Sequence, residues 1–267
     1  MNFQDIHRLS REILNELQCW FPQYVQSFCL SDPALRQLIK LKEDHTLRVC
    51  KQILDIGRKL ALSENDLRIA EVIALFHDIG RFEQIAHYQT FVDGKSEDHA
   101  NLSVKVLQRE NALVALDEKT KQLIMRAISN HNRLSIPENE SPDCLFYSRL
   151  LRDADKLDIL ELFSTCFYVA CEERSSIVQM DLPDLPGASQ NVLDELEQGN
   201  KVSTRQLKCI NDYKLFQMGW VYDINFQPTF QIIHGKGYLR MIRDALPVSE
   251  KIDKAYERLI SYVEGRI

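Results

Sequence analysis

Hydrophobic residues recur along most of the chain at steps of three and four, which is the spacing of one face of an α-helix. The clearest stripe lies between Asp32 and Leu62 and consists of Leu38, Leu41, His45, Val49, Ile53, Ile56 and Leu60. The run from Leu67 to Asp78 is apolar on nearly all sides, as is typical of a buried central helix, and it ends just before Gly80. This patterning predicts an all-α fold.

Histidines occupy inward-facing positions on several of these predicted helices. The chain has 7 histidines, and four of them follow at intervals of 32, 22 and 32 residues: His45, His77, His99 and His131. His99 shares a stripe with Leu102 and Val106, and His131 lies at the end of the helix that carries Ile124 and Ile128. A single buried imidazole is usually a core residue that hydrogen-bonds to a carbonyl or carboxylate. Four in phase, together with Asp78, favour a shared metal ion, because a cation satisfies buried imidazoles and carboxylates at once.

A further predicted helix carries acidic residues among leucines, in the segment Leu150 to Leu160. Asp153 is in phase with Leu150 and Leu157, whereas Asp155 is in phase with Leu151 and Ile159. Residues two positions apart lie on nearly opposite sides of a helix, so the two carboxylates do not readily bind the same ion. Periodicity does not choose between them.

The order His, His-Asp, Asp within a helical core resembles the HD superfamily of metal-dependent phosphohydrolases. The matching segments are the helix of His45, the sequence Phe76-His77-Asp78-Ile79-Gly80-Arg81, and Ala154-Asp155-Lys156-Leu157-Asp158. The resemblance covers roughly residues 40 to 165 and implies an HD-domain helical bundle with an additional C-terminal helical region. It also selects Asp155 over Asp153 as the final ligand.

The resemblance implies a binuclear metal site. His45, His77, Asp78 and Asp155 would bind the first ion, Asp78 would bridge, and His99 with His131 would bind the second. The ions would be divalent transition metals such as Mn, Fe, Ni or Zn. The implied reaction is hydrolysis of a phosphoester by metal-bound hydroxide.

By the same resemblance, the predicted catalytic residues are His77, Asp78 and Arg81. Arg81 is expected to contact a phosphate of the substrate, because a guanidinium group grips a phosphate in two places. The alternative is a solvated cation at a helix end, and the sequence leaves both open.

The charge of the chain limits its partners. There are 33 Lys and Arg residues against 39 Asp and Glu residues, a net charge of −6 and a pI near 5.7. Long nucleic acid is disfavoured, since its binding needs clustered basic residues. We expect a small phosphorylated substrate, nucleotide-like in character. The chain has no Gly-Tyr-Pro sequence, which disfavours the cyclic-dinucleotide branch of the superfamily.

Two other classes of function stay open at this stage. Helical proteins with a similar ligand set bind two irons and use oxygen to cleave C–C or C–P bonds. A non-catalytic nucleotide-binding sensor would bind metal and nucleotide without turnover.

The patterning also predicts how the chain is divided. We expect an N-terminal helical segment over residues 1–31, an HD domain that carries the metal site over residues 32–180, and a mainly helical C-terminal extension over residues 189–267 that packs on the core. The amphipathic N-terminal segment is too charged and interrupted for a signal peptide or a membrane span, so a cytoplasmic protein is expected.

Overall fold

The structure is a computed structural model that describes residues 9–28, 31–167 and 182–267. Within these ranges the regular elements are helices and there is no strand, which confirms the predicted all-α class. The chain forms two compact units, Met1–Asp155 and Lys156–Ile267, and the division falls inside one long helix. The predicted domain bounds stay predictions, and residues 168–181 lie outside the described part of the chain. No helix in the described ranges is long and apolar enough to cross a membrane.

The described part of the first unit is built from consecutive helices. They are α1 (Arg11–Gln26), α2 (Pro33–Lys59), α3 (Glu64–Phe76), α4 (Gly80–Tyr88), α5 (His99–Arg109), α6 (Glu118–Ser129) and α7 (Pro142–Leu162), which continues into the second unit. The helix predicted around His45 corresponds to α2, and the buried run ending at His77-Asp78 corresponds to α3.

Short polar residues cap the N-termini of five of these helices. Each capping side chain accepts a hydrogen bond from a backbone amide of the first turn. The capping residues are Ser10, Asp32, Ser63, Asp98 and Asp117. Each such cap satisfies an amide that has no partner within its own helix and contributes about 1 kcal/mol. Local sequence therefore determines where α5 starts, and hence where His99 lies.

Helix α3 forms the centre of the first unit. Its side chains from Ile69 to Phe76 are buried except Glu71, and α1, α2 and α6 pack around it. Full burial of one Ile or Leu side chain stabilises the fold by about 1.5 to 3 kcal/mol. This confirms the prediction of a buried central helix, and it places the end of α3 deep inside the unit.

The second unit consists of shorter helices around the last one. They are α8 (Gln190–Gln198), α9 (Ile210–Met218), α10 (Gln227–Lys236), α11 (Tyr238–Asp244) and α12 (Glu250–Glu264). Helix α12 buries Ile252, Ala255, Leu259 and Val263, and α8, α10 and α11 pack against it. Within this unit the ammonium of Lys156 lies 2.8 Å from a carboxylate oxygen of Asp223.

Candidate metal centre

The predicted ligand residues come from five helices of the first unit and converge on one buried point. His45 lies in the middle of α2, His77 and Asp78 follow the last residue of α3, and His99 is the first residue of α5. His131 follows α6, and Asp155 lies on α7. The four histidines and Asp78 are buried, and the Asp155 side chain is 18% exposed.

The carboxylate of Asp78 lies between two pairs of histidines. Its Oδ2 atom is 3.7 Å from Nε2 of His45 and 3.4 Å from Nε2 of His77. Its Oδ1 atom is 3.5 Å from Nε2 of His99 and 3.7 Å from Nε2 of His131. Each carboxylate oxygen therefore faces one pair of imidazole nitrogens.

Asp155, rather than Asp153, lies with the histidines. Its Oδ1 atom is 3.2 Å from Nε2 of His45 and 3.9 Å from Nε2 of His77. Asp153 is fully buried, but it belongs to none of the described groups whose possible ligand atoms lie within 4.8 Å of one another. The ligand roles themselves remain a prediction.

Three such groups occur among the described residues, and they overlap. The first contains His45, His77 and Asp78, and another contains Asp78, His99 and His131. The remaining group, of His77, His131 and Asp155, joins residues that the sequence analysis assigned to different ions. The six side chains thus form one continuous cluster of donors.

Hydrogen bonds at the outer ring nitrogens determine the tautomers of three histidines. Nδ1 of His77 lies 2.8 Å from the carbonyl oxygen of Ala74, and Nδ1 of His131 lies 2.7 Å from that of Ile128. Nδ1 of His99 lies 2.7 Å from Oδ2 of Asp93. Carbonyl and carboxylate oxygens only accept, so each Nδ1 carries the proton and each neutral ring points an Nε2 lone pair into the cluster.

Two of these lone pairs face each other. Nε2 of His99 and Nε2 of His131 are 3.0 Å apart, and neither has a proton to donate when both rings are neutral. Burial and the charge of Arg81 lower the pKa of His99 to about 4, so a proton on His99 does not resolve the contact near neutral pH. A cation shared by the two rings would accept both lone pairs and remove this unfavourable contact.

Other buried atoms of the cluster also lack hydrogen bonds. Nε2 of His77 and Oδ1 of Asp78 make none to any residue in the described ranges. Burying such atoms without a partner costs roughly 1 to 3 kcal/mol each, and a cation removes that cost. The donor set of imidazoles and carboxylates therefore fits a divalent transition metal.

The carboxylates of the cluster are ionised. Burial raises the pKa of Asp78, but the charge of Lys42 and the interaction with the neighbouring His77 ring outweigh burial and hold the value well below the ordinary range. For Asp155 burial acts in the same direction and is outweighed by the hydrogen bond and charge of His45, which leaves its pKa lowered. Negative charge is thus available to a cation at neutral pH.

A lysine that the sequence analysis did not predict belongs to this site. The ammonium of Lys42 contacts Oδ2 of Asp78, and its side chain is 14% exposed. Lys42 precedes His45 by one helical turn, so its position on the same face of α2 was a usable signal.

Arg81 lies beside the cluster and also reaches a neighbouring loop. Its Nε atom is 3.6 Å from Oδ1 of Asp78. One terminal nitrogen donates to the carbonyl oxygen of Phe91 at 2.7 Å and lies 3.2 Å from Oδ1 of Asp93. Its predicted contact with a substrate phosphate remains untested.

Three further residues hold the ligands in place and were not predicted. Asp93 binds His99, as described, and the hydroxyl of Ser103 lies 2.8 Å from the carbonyl oxygen of His77 and 2.9 Å from that of His99. The buried guanidinium of Arg152 donates to the carbonyl oxygens of Asn130, His131 and Arg133 at 3.2, 2.9 and 2.5 Å. The sequence marks Asp93 only as part of a turn, Asp93-Gly94-Lys95, and has no comparable signal for Ser103 or Arg152.

Comparison with known proteins bears on the part of the chain that carries this cluster. Residues 43–160 match the family model of the HD domain, and all six predicted ligand residues lie within that range. Neither the curated proteins nor the solved structures include a significant match.

Proposed function

Because residues 43–160 of the chain form an HD domain, we propose that the protein is a metal-dependent phosphohydrolase that acts on a nucleotide or another small phosphorylated metabolite. The HD domain indicates the superfamily of metal-dependent phosphohydrolases. Beyond the superfamily, we propose the residues that bind metal and the class of substrate.

The position of Asp78 is the observation that carries this proposal. One of its oxygens faces His45 and His77, and the other faces His99 and His131, at 3.4 to 3.7 Å. A carboxylate with this disposition suits a bridge between two cations. Asp155 would complete the first position, next to His45.

The protein supplies a preorganised set of donors. The rings of His77 and His131 are locked by carbonyl groups of their own helices, so their Nε2 lone pairs point inward before any cation arrives. When bound, the divalent cations would supply Lewis acidity toward a phosphoryl oxygen and lower the pKa of a coordinated water. In catalysis His77 and Asp78 would act as ligands of these cations.

The cationic side chains next to Asp78 supply the groups that recognise the substrate. Lys42 and Arg81 contact or approach opposite oxygens of this carboxylate, and both lie near the ring of Phe91. With cations bound at Asp78, Lys42 and Arg81 would be able to donate to a phosphate group. Recognition by local cations suits a small anion and agrees with the net charge of −6.

A panel of phosphorylated compounds tests the proposal. Nucleotides, phosphomonoesters and phosphodiesters are first screened for binding by thermal shift with metal-loaded protein. Compounds that bind are assayed for hydrolysis, by release of inorganic phosphate from monoesters and by chromatography of the products from diesters and nucleotides. We expect hydrolysis of at least one binder, its loss after chelation, and its loss in Asp78→Ala. Arg81→Met should raise KM for that substrate, whereas Arg58→Met on the exposed face of α2 should not.

Two outcomes would contradict the proposal. Oxygen consumption by the ferrous protein with an organic substrate, without hydrolysis of any phosphoester, would indicate an oxygenase. Tight binding of a nucleotide that is never hydrolysed would indicate a sensor.

A further inference from the structure

The three imidazoles with assigned tautomers are held by two different kinds of acceptor. His77 and His131 donate from Nδ1 to carbonyl oxygens three residues earlier, those of Ala74 and Ile128. These acceptors belong to the backbone, so no substitution of a side chain removes them. His99 donates to a side chain, that of Asp93, with 2.7 Å between Nδ1 and Oδ2.

The position of His99 explains this difference. His99 is the first residue of α5, so no helical turn precedes it to offer a carbonyl oxygen. The acceptor must come from outside the helix, and the short turn Asp93–Lys95 provides it. His99 is therefore the one of these three histidines whose ring orientation depends on a replaceable residue.

Asp93 is in turn held by residues of α4. Its Oδ1 atom accepts hydrogen bonds from Nε2 of Gln84 at 2.9 Å and from Arg81 at 3.2 Å. Gln84 is fully buried and also donates to the carbonyl oxygen of Glu97 at 3.0 Å. The loop that carries Asp93 is thus tied to the helix that begins next to His77 and Asp78.

We propose that Asp93 is a positioning residue that sets the tautomer of His99 and thereby controls binding of the cation at Asp78, His99 and His131. This inference rests on the proposed function for the identity of the ligands. No described contact joins Asp93 to His45 or Asp155, so the cation at the other position depends on Asp93 far less. Carboxylate partners of metal-bound histidines typically change metal affinity by about 10- to 100-fold when they are replaced.

Nitrogen NMR of the histidine rings in the metal-free protein tests the first half of the proposal. In the wild type, His99 should be protonated at Nδ1. In Asp93→Ala it should shift toward the Nε2-protonated form, because that form can donate to Nε2 of His131. Lys95→Ala, in the same turn, serves as the control and should leave the tautomer unchanged. An unchanged tautomer in Asp93→Ala would overturn the proposal.

Titration with Mn²⁺ tests the second half. Asp93→Ala should lower the affinity for one Mn²⁺ ion by about 10- to 100-fold. It should leave the affinity for the other ion within about threefold of wild type. Asp93→Glu, which restores a carboxylate, should recover part of the loss. An equal loss of affinity for both ions would indicate general damage to the fold and would overturn the selective role of Asp93.

The two measurements separate this inference from the proposed function. If wild-type protein binds no Mn²⁺ but the tautomer changes as expected, the metal-dependent function fails while the role of Asp93 in orienting His99 stands. If wild-type protein binds two ions and Asp93→Ala binds them equally well, the inference fails and the proposed function stands.

Discussion

The backbone amide of Gly80 donates a hydrogen bond to the hydroxyl of Ser103, with 3.0 Å between nitrogen and oxygen. A Cβ atom at Gly80 would lie 2.5 Å from the backbone nitrogen of Ser103 and 2.9 Å from the carbonyl oxygen of His99. Helices α4 and α5 can therefore approach this closely only because residue 80 has no side chain. The approach brings His99 to the residues that follow α3.

Substitution Gly80→Ala should accordingly disturb both the fold and the site. Forcing a methyl group into this contact should lower the free energy of unfolding by about 1 to 3 kcal/mol, as overpacking of a core does. It should also weaken binding of the cation near His99. Urea unfolding measures the first effect and metal titration the second.

Gly94→Ala provides the control for this prediction, because a Cβ there meets no atom within 4 Å. It should leave stability and metal affinity nearly unchanged. A Gly80→Ala protein as stable as Gly94→Ala would show that the contact between α4 and α5 is less rigid than described.

Lys42 should compete with metal for Asp78. Its ammonium contacts Oδ2 of Asp78, and replacement by methionine keeps much of the apolar stem while it removes the charge. Loss of a unit charge at this range is worth about 1 to 4 kcal/mol, so Lys42→Met should bind Mn²⁺ roughly tenfold more tightly or better. Isothermal titration calorimetry measures the change.

The matched control is Lys40→Met, on the same helix. Lys40 pairs with Glu43 and Asp44 at the surface, so its replacement should leave metal affinity unchanged. Weaker metal binding by Lys42→Met would mean that the ammonium supports the site instead of competing for it.

Arg152 should stabilise the backbone around His131. Its guanidinium donates there to three backbone carbonyl oxygens, those of Asn130, His131 and Arg133. Arg152→Met leaves those oxygens without this donor and should cost about 2 kcal/mol or more of stability. Arg149→Met, exposed on the same helix, should cost little. The melting temperatures of the two variants are compared in the absence of metal. Equal melting temperatures would contradict the stabilising role of Arg152.

The choice between Asp155 and Asp153 is a direct test of the ligand set. Oδ1 of Asp155 is 3.2 Å from Nε2 of His45, whereas Asp153 lies outside the cluster. Asp155→Asn should therefore lose far more metal than Asp153→Asn, when both are analysed after the same purification. The reverse result would show that the family-based choice was wrong.

Much of the first unit was predictable because local patterns determine it. The apolar stripe of α2 and the all-round apolar run of α3 predicted both helices, and the match over residues 43–160 confirms the resemblance to the HD superfamily. Helical phase placed His45 inward, and the apolar run of α3 placed His77 at the end of a buried helix. These are properties of short stretches of sequence, so tertiary structure was not needed to find them.

The groups that orient the ligands were not predictable in the same way. Ser103, Asp93 and Arg152 act through contacts with backbone or side chains on other elements, and such contacts leave no periodic trace in the sequence. The segment from Gln89 to Asp98 has no helical pattern, so the sequence identified Asp93 only as a turn residue. The choice between Asp153 and Asp155 likewise depended on the family resemblance, because both lie on apolar stripes of α7.

We propose that Asp78 bridges two cations, and elemental analysis of protein purified without chelator shows how many ions each chain binds. Wild-type protein should contain about two transition-metal ions per chain, and Asp78→Ala essentially none. His99→Ala and His131→Ala should each keep about one, because the position beside His45 and Asp155 survives. Absence of metal from the wild type, or equal metal content in Asp78→Ala and His99→Ala, would contradict the binuclear account.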